Sequence, residues 1–426
     1  MPFGHFCGIK LKSPDSLISL AMLVFIWMQS SACAQQATQE SVSSKDVAKD
    51  YKFASGHSSL GIRLEEDDGY IFLQLRINNS GPLWFGLDTG ATRTLIDRQV
   101  ADSLNLKPDG NQQIGGAGGL AEAAILRNVS IKLPGAEIHN QTLWSIPLDA
   151  LAAANGRKMA GILGYELFKY FVVDIDYAAK VMNLYEPSGY QYRGRGQSIP
   201  LNVQDDGEIY VQASVQAAVG SPIEGEFVID TGGSRTLLLA RSFVEENQLL
   251  KSVEKTLLVR GGGVGGEIQL VMGRLKSLRV GQYEITNPVV GFTKVGQIAD
   301  ANKAGNISAG FLKRFRVIFD YSRKQMILEP NKRFTEADEF DMSGAALMSE
   351  GPDYTVIKVV RVRPDSAAAI AGLLPEDLII AVDDQPSTNL NVSRIKEIFR
   401  VEREYDLKVK RKDQIVDVKI RLKRLI

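Results

Sequence analysis

Short alternating apolar and polar runs, broken by Gly, Asn and Asp, fill residues 58–330 and predict antiparallel β-structure with short helices at most. The pattern changes around residues 330–337, and a third unit is expected over 340–426. There, residues 354–362 and 377–382 are strand-like, and 366–371 is a short alanine-rich segment. Val392, Ile395, Ile398 and Phe399 recur at helical spacing across residues 392–401. Two final strands are predicted at 405–411 and 415–422, the second alternating Val418, Ile420 and Leu422 against Lys419, Arg421 and Lys423. Those basic residues read as a solvated strand face. At the other end, Lys10 and Lys12 precede an apolar run at residues 17–28, too short to span a bilayer.

Small residues follow that run, and Ala32-Cys33-Ala34 fits the small-x-small rule for signal cleavage, so residues 1–34 are expected to be a secretory signal peptide and residues 35–57 a flexible leader. Export to a periplasmic or extracellular space is the expectation, with lipid attachment through Cys33 as the alternative. Both cysteines, Cys7 and Cys33, fall inside the signal, which leaves the exported chain neither a disulfide framework nor a thiol nucleophile. No later stretch reaches the 18 or so apolar residues of a membrane span.

Within 58–330 the chain repeats itself. Asp68-Gly69-Tyr70-Ile71 opens a strand-like run leading to Trp84-Phe85-Gly86-Leu87-Asp88-Thr89-Gly90-Ala91. Asp206-Gly207-Glu208-Ile209-Tyr210 opens a second, leading to Phe227-Val228-Ile229-Asp230-Thr231-Gly232-Gly233. From Asp88 to Asp230 the offset is 142 residues. Each copy then carries a glycine cluster, with Gly115, Gly116 and Gly118 in the first and Gly262, Gly263 and Gly265 in the second. Each next reaches an apolar stretch ending in glycine, Ile162-Leu163-Gly164 and Ile307-Ser308-Ala309-Gly310, with the glycines 146 residues apart (164 to 310). Two β lobes, 58–190 and 196–332, meeting edge to edge as a pseudo-dimer are therefore expected.

Composition narrows the chemistry. Fifty basic residues balance fifty acidic ones, which argues against a nucleic-acid partner held by phosphate neutralisation. Only three histidines exist, His5, His57 and His139, so a histidine catalyst or zinc site has little raw material. No G-x-S-x-G or H-E-x-x-H motif occurs. Carboxylates are what remains. Two aspartates brought together across a pseudo-twofold axis repel as anions and so share a proton, one acting as general base on water and the other as general acid. Such a pair needs no metal or cofactor. Gly90 and Gly232 would let the two loops approach closely, and the Thr89 and Thr231 hydroxyls could hydrogen-bond across the interface. Phe85, Leu87, Val228 and Ile229 would supply apolar backing. Asp174, Asp176 and Asp320 also follow apolar runs, but without glycine, and read as strand-end or turn residues. Arg93 and Arg235 recur in register and read as surface ion-pair formers.

These motifs resemble the retropepsin-like aspartic proteases, whose pattern is apolar-apolar-Asp-Thr/Ser-Gly-Ala/Ser followed by an apolar pair and Gly. Leu87-Asp88-Thr89-Gly90-Ala91 with Ile162-Leu163-Gly164 matches fully; Ile229-Asp230-Thr231-Gly232 matches, with Gly233 in place of Ala or Ser and a looser second motif. The resemblance, over residues 58–330, implies a mainly β fold of two barrel lobes with an intramolecular Asp88/Asp230 dyad, supported by Thr89, Gly90, Thr231 and Gly232. It also implies that the glycine clusters are flaps over the substrate. Gly261, Gly263 and Gly266 fit G-x-G-x-x-G, but the strand-like run after them is wrong for a dinucleotide site.

The last unit resembles a small α+β PDZ domain of the bacterial exported-protease type, through Pro364-Asp365-Ser366-Ala367-Ala368-Ala369-Ile370-Ala371-Gly372-Leu373 and Pro375-Glu376-Asp377-Leu378-Ile379. Such domains bind extended peptides by strand addition. A groove between residues 354–359 and the helix at 392–399, with a carboxylate-binding loop near 344–347, is what the resemblance implies here. An exported aspartic endopeptidase acting on peptides or proteins is the leading expectation. A catalytically inactive peptide-binding scaffold of the cell envelope is the alternative.

Overall fold

A computed structural model describes residues 50–296 and 303–426; the expected signal peptide and Cys33 lie outside the described residues. The fold is mainly β. Lobe 1 is built on a nine-stranded sheet and lobe 2 on a ten-stranded one, related by the internal repeat. Between them runs a six-stranded sheet to which each lobe contributes three strands. Ser58–Arg63, Val172–Asp176 and Val181–Tyr185 come from lobe 1, and Gln197–Pro200, Phe315–Asp320 and Gln325–Pro330 from lobe 2.

The central pairing of that sheet shows the symmetry. Val173 faces Phe319, Asp174 faces Ile318 and Ile175 faces Val317, antiparallel. The repeat makes Val173 the counterpart of Val317, and Ile175 of Phe319, so the pairs exchange under a twofold rotation whose axis passes between Asp174 and Ile318. One continuous apolar cluster runs through both lobes, from Ile71 and Phe85 through Phe168 and Phe319 to Phe227 and Ile307. In lobe 1 the sheet closes on itself, because Gly119–Leu133 pairs with Ala136–Ile146 as well as with Tyr70–Ile77, and the two lobes share one core.

Two elements differ from expectation. The end of the leader is ordered. Tyr51–Phe53 is a strand pairing with Ala136–Ile146, because the alternation of Tyr51 and Phe53 about Lys52 gives one apolar face, and the Tyr51 ring packs 5.2 Å from Phe171. Asp174 is not a strand-end residue. It lies within the central sheet, fully buried, and accepts two bonds from Arg316, at 2.8 and 2.7 Å. A buried carboxylate inside a sheet requires such a bidentate cation. Asp176 and Asp320 do cap turns, accepting from Ala178 N–H and Arg323 N–H.

The third unit folds around its own core of Ile357, Val359, Val392, Ile395, Phe399, Tyr405 and Ile420. The helix Val392–Ile398 starts where Asn391 accepts from Arg394 N–H at 2.7 Å, and it buries the predicted Val392 and Ile395. Its sheet is ordered Ala345–Glu350, Val356–Val362, Leu378–Val382, Glu404–Arg411, Gln414–Arg421.

This unit is docked on both lobes. Asp68, buried and in a left-handed turn conformation (φ 54°), accepts a bidentate pair from Arg400, both bonds 2.6 Å, with Lys313 3.6 Å away. Asn391 donates to Asp67, and Ser393 to the carbonyl of Asn155 at the end of the lobe-1 helix Asp149–Asn155. On the lobe-2 side, Ile426 joins Leu238, Leu270 and Met272 in one apolar cluster, with Leu425 and Phe340 against it. Among the described residues no helix is long and apolar enough to cross a membrane.

Candidate active site

Asp88 immediately follows the strand Leu83–Leu87, and Asp230 ends the strand Ile223–Asp230. Each strand pairs in parallel with a short partner, Gly161–Leu163 in lobe 1 and Gly305–Ser308 in lobe 2. Phe85, Leu87 and Ile229 join the main core and Val228 is buried on the opposite face of its strand, so each aspartate is thrust out of a rigid apolar base. That base decides where the following loops can go.

The Asp-Thr-Gly loops lock to one another. Thr89 N–H donates to the Thr231 hydroxyl and Thr231 N–H to the Thr89 hydroxyl, each at 3.0 Å. The hydroxyls pass the link onward, Thr89 to the Ile229 carbonyl at 2.7 Å and Thr231 to the Leu87 carbonyl at 2.9 Å. Both threonines are buried, so these four bonds are shielded from water. Gly90 N–H and Gly232 N–H then donate to the aspartate two residues earlier, at 2.7 and 2.8 Å. A methyl group on Gly232 would sit 2.3 Å from the Asp88 carboxyl carbon, which is why only glycine fits.

The result is a pair of half-buried carboxyls in direct hydrogen-bond contact. Burial, and then the neighbouring Asp230 charge, push Asp88 up to about 8. Burial raises Asp230 too, against the pull of bonds from Asn306, Gly232 and Ser308. The pair holds a proton well above the ordinary carboxylate range. Tyr70, buried and under the same two negative charges, stays a phenol far into alkaline pH.

The glycine clusters form the ends of two hairpins. Gly115 and Gly116 close the strand Asn111–Gly116, opposite Gly119–Leu133; Gly262 and Gly263 close Leu257–Gly263, opposite Gly266–Arg274. The tips meet, with Gly118 N–H donating to the Val264 carbonyl at 2.8 Å. A Cβ on Gly118 would lie 2.2 Å from the Gly266 carbonyl oxygen, and one on Gly265 2.2 Å from that of Gly119, so backbone stacks on backbone. Val264 packs into the apolar cluster that contains Tyr70, Phe72, Ile114 and Ile162. Gly266 opens the strand Gly266–Arg274, where a dinucleotide-binding loop would lead into a helix.

Strand register corrects the alignment of the two halves. Leu163 faces Leu87, and Ile307 faces Ile229, an offset of 144 (163 to 307). Gly164 therefore corresponds to Ser308, and Gly310 to Glu166. Tyr165 N–H bonding the Ala91 carbonyl and Ala309 N–H bonding the Gly233 carbonyl say the same. In lobe 1 buried Glu166 accepts from Thr94 N–H and hydroxyl, at 2.8 and 2.6 Å; in lobe 2 Gly310 leaves the Thr236 hydroxyl without a partner among the described residues. Sequence reading also missed Asn306 and Ser308, whose side chains donate to Asp230 Oδ2 at 3.1 and 3.3 Å. Their signal is an Asn-x-Ser where lobe 1 has Ile-x-Gly, legible only in the true register.

Two further expectations change. Arg93 does pair, with Glu166 at 3.7 Å, but Arg235 forms no ion pair among the described residues and lies 4.9 Å over the Phe340 ring. In the third unit the strand Val356–Val362 is interior, bonded to Ala345–Glu350 on one side and to Leu378–Val382 on the other. Residues 354–359 thus offer no free edge. The edge strands are Ala345–Glu350 and Gln414–Arg421, and the lobe-1 helix Asp149–Asn155 lies against the first of these and the helix Val392–Ile398.

The aspartyl protease family model matches residues 73–167 and again 215–308, and the PDZ domain model matches 358–411. The two protease matches contain Asp88 and Asp230 respectively. No curated protein matches the chain. The chain carries two retropepsin-like aspartyl protease regions in tandem, followed by a C-terminal PDZ domain.

Proposed function

We propose that this protein is an exported aspartic endopeptidase whose Asp88/Asp230 dyad activates water against a peptide carbonyl, with the PDZ domain binding protein substrates or partners. The observation that carries the reading is the hydrogen-bonded carboxyl pair held by reciprocal threonine bonds. In the singly protonated pair, the ionised carboxyl takes a proton from water while the protonated one donates to the substrate carbonyl. The two hairpins meeting at their tips suit a cover over an extended peptide, which would exclude bulk water and strengthen the electrostatics. Export rests on the signal-like residues 1–34.

The test is cleavage of an unfolded protein or a peptide library by the native chain beside Asp88→Asn and Asp230→Asn. Either substitution is expected to abolish turnover with the fold intact. Full activity in one variant would refute a shared-proton dyad. Peptide binding by a native chain that cleaves nothing between about pH 3 and 9 would favour the scaffold.

A further inference from the structure

The halves of the dyad are built unequally. Asp230 accepts three bonds, from Gly232 N–H on Oδ1 and from the Asn306 amide and Ser308 hydroxyl on Oδ2. Asp88 accepts only from backbone, Gly90 N–H on Oδ1 and Ala91 N–H, and no side chain donates to it; its own bond to Asp230 is one it donates. In register, lobe 1 offers Ile162 where lobe 2 has Asn306, and Gly164 where lobe 2 has Ser308. Neither lobe-1 residue can donate from its side chain.

The same register explains both departures of lobe 2 from the family pattern. Gly233 stands where lobe 1 has Ala91. A Cβ on Gly233 would lie 2.8 Å from Ser308 Oγ and 3.0 Å from Asp230 Oδ2, inside van der Waals contact. The side chain missing from position 233 makes room for the one gained at position 308. The two changes compensate each other, and together they deliver a hydroxyl to Asp230.

We propose that Asn306 and Ser308 are positioning residues that make Asp230 the ionised member of the dyad and leave the shared proton on Asp88. Neutral donors aimed at one carboxylate stabilise its anion and not its acid, and these two have no counterpart on the other side. No lysine or arginine bonds to either carboxyl. The remaining titratable groups facing the pair are Tyr70, Tyr177 and Tyr321 from three different elements, all kept neutral by burial. The donors are therefore what separates the two carboxyls.

Within the proposed hydrolysis the roles follow. Asp230 takes a proton from water as the water oxygen bonds to the carbonyl carbon, and Asp88 gives its proton to the carbonyl oxygen, producing a gem-diol. On collapse Asp230 returns its proton to the amide nitrogen, the C–N bond breaks, and Asp88 recovers a proton from a diol hydroxyl. Both carboxyls end as they began.

The assignment rests on the dyad reading for its catalytic meaning, so the test has two readouts. One is the pH profile of kcat/KM; the other is a ¹³C-carboxyl NMR titration of the aspartates, which needs no turnover. In the native chain the Asp230 carboxyl should account for most of the first deprotonation. In Asn306→Leu/Ser308→Gly, which like lobe 1 offers no side-chain donor at either position, the lower apparent pKa and the acid limb of activity should rise by about one to two pH units. The alkaline limb should move less. Ser308→Thr should keep the native profile. Gly233→Ala alone should distort the site through its contact with Ser308, and Ser308→Gly in the same chain should relieve it. A folded Asn306→Leu/Ser308→Gly variant with an unmoved lower pKa would overturn the proposal, as would first deprotonation at Asp88. Absence of cleavage by the native chain would refute the enzyme while leaving the titration to decide the asymmetry.

Discussion

Thr231→Val tests the lock between the lobes with almost no change of shape. Valine keeps the branched side chain in a site where Thr231 is fully buried, but it removes the hydroxyl that accepts from Thr89 N–H at 3.0 Å and donates to the Leu87 carbonyl at 2.9 Å. Both orphaned groups are backbone groups at the buried base of the site, where water cannot replace the lost partner. At about 1–3 kcal/mol for each buried group left unsatisfied, the loss is about 2–6 kcal/mol. Set against a typical total of about 5–15 kcal/mol, this should be plain in calorimetry or in a denaturant midpoint. Because the same bonds set how closely the two carboxyls approach, kcat should fall together with stability. Thr89→Val should do nearly the same, because it orphans Thr231 N–H and the Ile229 carbonyl. A Thr231→Val chain with native melting temperature and native proton affinity at the dyad would refute the claim that the crossed threonines hold the carboxyls together.

Two other outcomes are expected. The dyad carboxyls have folded pKa values raised above their unfolded ones, so the stability they contribute is full below about pH 4 and is lost as pH rises through about 8. Asp88→Asn removes that loss, and its stability relative to the native chain should increase between pH 5 and pH 9; a pH-independent difference in denaturant midpoints would contradict the raised pair. Arg400→Ala strands the buried Asp68 carboxylate with only Lys313 at 3.6 Å, at a cost of about 3–5 kcal/mol at neutral pH. Although burial pushes Asp68 up, Arg400 and Lys313 outweigh it and hold it below the usual carboxylate range. The pair's contribution is thus present above the unfolded pKa of about 4 and fades as pH falls below it. Limited proteolysis between residues 331 and 344 should be faster in Arg400→Ala than in the native chain at pH 7, and the two should converge on acidification.

Much of the site is local in origin and could be read directly. Each aspartate ends an apolar strand and is followed by a small residue pair, so the two Asp-Thr-Gly loops and their glycine hairpins announce themselves in a linear pattern. The helix at Val392–Ile398 was equally legible, because the apolar spacing that marks it is a short-range signal. What could not be read depended on register between distant segments. The motif glycines, Gly164 and Gly310, suggested an offset of 146, whereas parallel pairing on the aspartate strands sets 144. Two residues of slip hid Ser308 and Asn306. The same limit applies to Asp174, which looked like a turn residue until Arg316, 142 positions later, was found beside it.

By itself the sequence determined the class of chemistry and the architecture that could house it. A chain with balanced charge, cysteines confined to its first 34 residues and three histidines has duplicated aspartates as its catalytic resource, and alternating runs make β lobes of both copies. Only the tertiary structure decided how the copies differ. Hydrogen bonds act over about 3 Å, so whether a side chain at position 306 or 308 touches a carboxyl at 230 depends on strand register and on the empty space above Gly233. Repetition along the chain implies a symmetric pair; the packing around it makes the pair unequal.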